Sequence, residues 1–141
     1  MEKRIALAAI VTVVVVIAAY FTWNYQNYND YLNKTVHETN RWAVIIDSKG
    51  DIIAVETTSD QVWNQLTDLH QNPTEMWIGG IVETYENMWG FRFKPDTIII
   101  AQITIEGAQS NIRGISENLD YWINTWGKET YVLATVTEIH E

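Results

Sequence analysis

The first hydrophobic pattern along the chain has no polar face. Ile5 to Trp23 reads IALAAIVTVVVVIAAYFTW, with no charge and only Thr12 and Thr22 as mildly polar interruptions. At 1.5 Å per residue such a run covers about 28 Å, close to the hydrocarbon thickness of a bilayer, and predicts a transmembrane helix over 5–23. Tyr20, Phe21, Trp23, Tyr25 and Tyr28 gather at its C-terminal end, where amphipathic rings favour the headgroup layer. Lys3 and Arg4 precede it, and positive side chains hold their end of a span in the cytoplasm. The expected order is a cytoplasmic tip at 1–4, the span at 5–23, a juxtamembrane stalk over 24–41 and an extracytoplasmic domain over 42–141. A cleaved signal peptide is the competing reading, but Ile17-Ala18-Ala19 is a poor small-x-small cleavage site. A pilin-type N-terminus is a further alternative, which lacks the usual small residue where Ile5 follows Arg4. No charge interrupts the run, so nothing in it points to an ion pathway.

From Trp42 the pattern changes to short apolar runs with turn residues between them. WAVIID (42–47), Ser48-Lys49-Gly50 and DIIAVET (51–57) predict a β-hairpin. Ser59 is placed to cap a helix through Leu69 with Val62, Leu66 and Leu69 on one face, and Asn72-Pro73 ends it. MWIGGIVETY (76–85) reads as a strand in which Gly79-Gly80 mark a bulge or a close backbone approach. Asn87 opens a turn into WGFRF, where Trp89, Phe91 and Phe93 alternate with Gly90 and Arg92 as in a half-buried strand. Pro95-Asp96 breaks it, and TIIIAQITIE (97–106) predicts a β-branched strand. A second helix is expected over 108–126, with Ile112, Ile115, Leu119, Trp122, Ile123 and Trp126 as its apolar stripe, Arg113 and Glu117 outside and Gly127 at its end. TYVLATVTEI (130–139) closes the chain as a strand. Helices interspersed among closely spaced strands predict an α+β domain: two helices packed on a mainly antiparallel sheet, beyond one N-terminal transmembrane helix.

Composition narrows the function classes. Eighteen acidic and nine basic side chains give a net charge of −9, a surface that repels phosphate backbones and argues against nucleic acid as a partner. There are no cysteines, which rules out disulfides and thiolate metal sites. Seven tryptophans and seven tyrosines are more than a disordered chain carries.

The stretch GGIVETYENMWGFRFKPDTIIIAQITIEGAQ, residues 79–109, resembles a family of short, often archaeal, membrane-anchored or secreted α+β domains. The same domain occurs at the N-terminus of slime-mould calcium-responsive binding proteins. The likeness lies in the glycine-containing strand, the Asn87 turn, Trp89, the aromatic alternation, Pro95 and the β-run ending at Glu106. It implies an extracytoplasmic module with no established catalytic chemistry. Eukaryotic members tend to carry Cys-Asp just after the position of Glu106, where this chain has Gly107-Ala108.

No catalytic constellation is found. His37, His70 and His140 are far apart in sequence, and none has a partner at metal-binding helical spacing. No nucleophile elbow, phosphate loop or dinucleotide fingerprint occurs. Asp47 and Asp51 flank the first turn with Lys49 between them and read as a solvated turn; Glu83 and Glu86 read as a solvated loop. Glu106, ending an apolar strand, has Arg92 or Arg113 as a potential ion-pair partner. Trp122 and Trp126 are core residues or an aromatic shelf for a sugar or a partner. The expectation is therefore a non-enzymatic interaction module, without cofactor or metal, anchored in a membrane and docking to a protein of the membrane or envelope. Trp77, Met88 and Trp89 are the candidate anchors, with Arg92, Glu106, Trp122 and Trp126 as further binding candidates. An accessory single-span subunit, packing laterally through Ala6, Ala8, Ala9, Ala18 and Ala19, is the first alternative; a small-ligand or carbohydrate receptor, or an enzyme, is the second. Asn33-Lys34-Thr35 is an N-glycosylation sequon.

Overall fold

A computed structural model describes residues 2–35, 39–103 and 107–141, with the side chains of 27–35 left aside. The chain divides into two units, 1–33 and 34–141. The first is one unbroken helix, α1 (Glu2–Thr35), in which the Thr12 and Thr22 hydroxyls donate to the carbonyls of Ala8 and Ala18. Such bonds leave no hydroxyl unsatisfied on an apolar surface. An 18-residue window within Glu2–Gln26 has a mean hydropathy of 2.6 and none of that window is buried; by length and composition the helix can cross a membrane. Helical geometry continues through the tyrosine-rich segment as far as Thr35, so much of the expected stalk is helical.

In the second unit β1 (Trp42–Asp47) and β2 (Ile52–Glu56) form the expected hairpin, with Ile45 opposite Ile53. Ser59 accepts a bond from the Val62 N–H and starts α2 (Asp60–Gln71), which buries Trp63 and Leu66. β3 (Met76–Thr84) follows, then β4 (Phe91–Phe93), a tight helical turn at Pro95–Thr97 and β5 (Ile99–Ala101). β6 (Ala108–Ser110), α3 (Ile112–Ser116), a π-helical turn at Tyr121–Trp126 and β7 (Glu129–His140) complete the chain.

The strand order is β2-β1-β7-β3-β4, with β5 on β3 and β6 on β7. Every pairing is antiparallel except β6 with β7, which is parallel. This is the α+β architecture expected from the sequence. Register puts alternate residues of all five strands on one face: Ile45 beside Ile53 and Val136, Ile78 beside Val132, and Val82 beside Phe93. All of these are buried and form the core, with Phe91, Ile112 and Ile115. Removing that much apolar surface from water is what drives the fold.

The path ends on β2 and β4, yet those ends meet. The Trp89 indole Nε1–H donates to the Ile52 carbonyl at 2.7 Å, and the Arg92 guanidinium reaches the Glu56 carboxylate at 3.3 Å. The sheet therefore curls until its two edges face each other across side chains.

Gly79 and Gly80 are a close approach of backbones. A Cβ at Gly79 would collide with the Thr130 carbonyl, and one at Gly80 with the Thr97 hydroxyl. That hydroxyl accepts from the Ile81 N–H and donates to the Lys94 carbonyl, fastening the Pro95 turn to β3.

Two expected elements are different. The strand expected over 97–106 is reduced to Ile99–Ala101, because residues 95–97 wind into the helical turn; 104–106 lie outside the described residues. The helix expected over 108–126 is three pieces. Residues 108–110 are drawn into a parallel ladder with 130–132, Asn111 then caps α3 by accepting from the Gly114 N–H, and the helical turn at 121–126 has π geometry. Gly127, at φ 62°, ends it as expected.

Candidate functional site

Among the described residues, charged groups gather at three places in the domain. The first is the seam between β2 and β4. Asn87 shapes the β3–β4 connection: its Oδ1 accepts from the N–H groups of Trp89 and Gly90, and its Nδ2 donates to the Phe91 carbonyl. The tight turn sets the register that places Glu83 opposite Arg92. Arg92 Nε donates to Glu83 at 2.7 Å, its Nη1 to Glu56 at 3.3 Å, and its guanidinium lies 4.4 Å from the centre of the Tyr85 ring. Arg92 and Glu56 are buried. A buried cation held by two carboxylates and an aromatic face locks the two sheet edges together.

The second is the β1–β2 turn. Asp47, read from sequence as solvated, is buried: Oδ1 accepts from the N–H groups of Lys49 and Asp51, and Oδ2 from the N–H of Ile112 at the start of α3. Asp51 instead takes both arms of Arg113, which also lies 5.5 Å from the Trp89 ring centre. The hydrogen bonds to Asp51 raise the Arg113 pKa above its ordinary value. Arg113 therefore ties α3 to the hairpin.

The third is at the opposite end of β1, where Arg41 pairs with Asp60 and with Glu141 and leans toward the Trp63 ring. Its pKa is raised, first by the hydrogen bond with Asp60 and then by that with Glu141. Beside it Thr39, Asn40, Arg41, Thr57 and Thr58 line a shallow groove of about 290 Å³. Next to it the rings of Trp42 and His140 stack at 3.8 Å, and the His140 Nε2 is 3.1 Å from Glu138. His70 is exposed in the last turn of α2. Among the described residues no cluster of three metal-ligating side chains occurs.

The residues singled out from sequence separate in space. Trp89 is buried and hydrogen-bonded into the seam, and Arg92 is buried beside it, so neither is an exposed anchor. Both side chains serve to join the sheet edges. Trp77 is half-buried on β3, opposite Leu133 and Ala101. Trp122 is half-buried and meets the Tyr121 ring edge-on at 4.9 Å. Trp126 donates its N–H to the Glu129 carbonyl and lies under the Lys128 ammonium. Glu106 and His37 lie outside the described residues, as does the side chain of Asn33, whose backbone belongs to α1. Met88 alone of the proposed anchors stands in solvent, 61% exposed.

Sequence reasoning missed the Arg92–Glu83–Glu56 lock and the buried role of Asp47. The Glu83–Arg92 half was open to inference by counting outward from the Asn87 turn; Glu56 is distant in sequence and no local pattern points to it. Compared with the models of known families, with curated proteins and with solved structures, the chain finds no match in any of the three.

Proposed function

We propose that the chain is a single-pass membrane protein whose folded domain is an extracytoplasmic, non-enzymatic interaction module. Its N-terminus is cytoplasmic, and its domain docks to a protein partner of the membrane or envelope. The observation that carries this reading is the contrast between its parts. A helix with an uncharged stretch long enough for a bilayer precedes a domain whose buried charges, among the described residues, are held by one another or, at Asp47, by backbone N–H groups. Buried charges held in this way favour a scaffold role over a poised acid, base or nucleophile. Met88 supports the docking half: an exposed thioether on a turn whose backbone is held by Asn87. With the turn backbone already held, a partner that covers it has only the Met88 side chain left to order.

The test is co-purification from the native membrane after mild detergent extraction, comparing the natural chain with Met88→Asp. The natural chain should bring a partner that the variant loses, while circular dichroism of the variant is unchanged. A lone monomer in both samples contradicts the docking reading.

A further inference from the structure

The face of the sheet turned away from the core carries a row of side chains that the docking turn does not use. Register places Ile46 on β1 opposite Thr135 on β7, Leu133 on β7 opposite Trp77 on β3, and Trp77 opposite Ala101 on β5. Residues two apart on a strand share a face, so Thr135 joins Leu133 and Ala101 joins Ile99 in one row across four strands. The reverse face is the core, where Ile45, Val136, Val132 and Ile78 are buried. The row is not buried: Ile99 is 39% exposed and the others are partly exposed. A sheet face turned to solvent ordinarily carries polar side chains, yet only Thr135 in this row is polar and no member is charged. Met88 lies beyond the other end of β3, so this is a second surface.

We propose that the occupant of this row is a second copy of the chain, joined about a two-fold axis. The chain has a net charge of −9, so two copies repel each other except where they meet through uncharged surface, and the row supplies such a surface. A two-fold contact must also fit itself. The row sets its bulkiest side chain, Trp77, directly opposite its smallest, Ala101, and an axis passing between them lays each Trp77 over the other copy's Ala101. Six residues are fewer than the roughly 20–30 that each side of a free-standing complex engages. The pairing therefore rests on the anchored reading: α1 in a shared bilayer confines both domains to one layer and raises their local concentration, so a small apolar contact suffices.

The experiment uses the full chain, which has no cysteine, in carbonate-washed native membranes. Ile99→Cys on the row and Ser48→Cys in the exposed hairpin turn each supply one thiol, and a short bismaleimide is added. Ile99→Cys should give a band at twice the chain mass, and Ser48→Cys should give none. Adding Ala101→Lys or Thr135→Lys, both at partly exposed positions, to Ile99→Cys sets like charges across the axis. Either should cut the doubled band about tenfold while near-ultraviolet circular dichroism stays unchanged. No doubled band, equal bands from both thiols, or a doubled band that survives both lysines overturns the proposal. A band joining Ile99→Cys to a different polypeptide also overturns it, because the face then belongs to another protein. Chains that stay in the washed membranes without linking leave the anchored reading standing; chains released into the wash show that the anchor has failed, and the pairing with it.

Discussion

Replacing Arg92 by methionine keeps an unbranched, apolar stem and removes a charge from a place where water does not reach. Arg92 is 8% exposed and Glu56 is 3% exposed. Taking away the guanidinium leaves the Glu56 carboxylate buried without the cation that stood 3.3 Å away. Breaking one side of a buried ion pair typically costs about 3–5 kcal/mol, against a total stability of about 5–15 kcal/mol for a domain. Glu83, with a side chain 29% exposed, is partly hydrated and adds less to that cost. For a domain of roughly one hundred residues each kcal/mol lowers Tm by about 4–8 °C, so a fall of at least about 12 °C is expected. The assay is thermal unfolding of the full chain in neutral detergent, followed by near-ultraviolet circular dichroism, which reports the packed aromatics of the domain. The double variant Arg92→Met/Glu56→Leu replaces the pair by apolar groups and should recover most of the loss. An Arg92→Met protein melting within about 3 °C of the natural chain refutes the seam as described. A double variant no more stable than the single refutes the assignment of Glu56 as the group left stranded.

Asp47→Ala removes the acceptor of three backbone N–H groups, one of them the first N–H of α3, and should cost about 3 kcal/mol or more in a denaturant titration. A loss under about 1 kcal/mol would show that water replaces the carboxylate freely. Gly79→Ala places a methyl against the Thr130 carbonyl, and should destabilise by about 1–3 kcal/mol or drive the chain into inclusion bodies; full solubility with unchanged melting argues against the tight β3–β7 approach. Ser59→Ala removes the N-cap of α2 and should cost about 1 kcal/mol, read as a shift in denaturant midpoint with unchanged slope.

How far sequence could see depends on which forces act locally. The hairpin, the Ser59 cap, the Asn87 turn and the Gly127 stop were legible because each is set by side chains within a few residues of the backbone they organise. The segment 108–126 misled because its apolar stripe is real: Ile112 and Ile115 are buried as a helix would bury them. What interrupts it is a long-range competitor, the backbone of β7, which pairs with 108–110 and leaves Asn111 as the first available cap. A β-branched run such as 97–106 carries no mark of where a ladder stops, and of the two Thr97 hydroxyl bonds at its start one is made with β3, from the Ile81 N–H. At the candidate site, exposure was the hidden variable. Met88 and Trp89 are adjacent in sequence, yet one points to solvent and the other closes the sheet.

The central claim, an anchored chain with its domain on the outer side, is open to one direct measurement. The sequence has no cysteine, so Ser48→Cys in the exposed hairpin turn and Glu2→Cys at the start of α1 each create a single reactive thiol. Intact cells carrying each variant are treated with a membrane-impermeant maleimide before and after lysis, and the membrane fraction is washed with alkaline carbonate. Labelling of Ser48→Cys before lysis, of Glu2→Cys only after it, and retention of both in the washed membrane are the predicted results. Labelling of Ser48→Cys only after lysis, or release of the chain into the wash, would contradict the account.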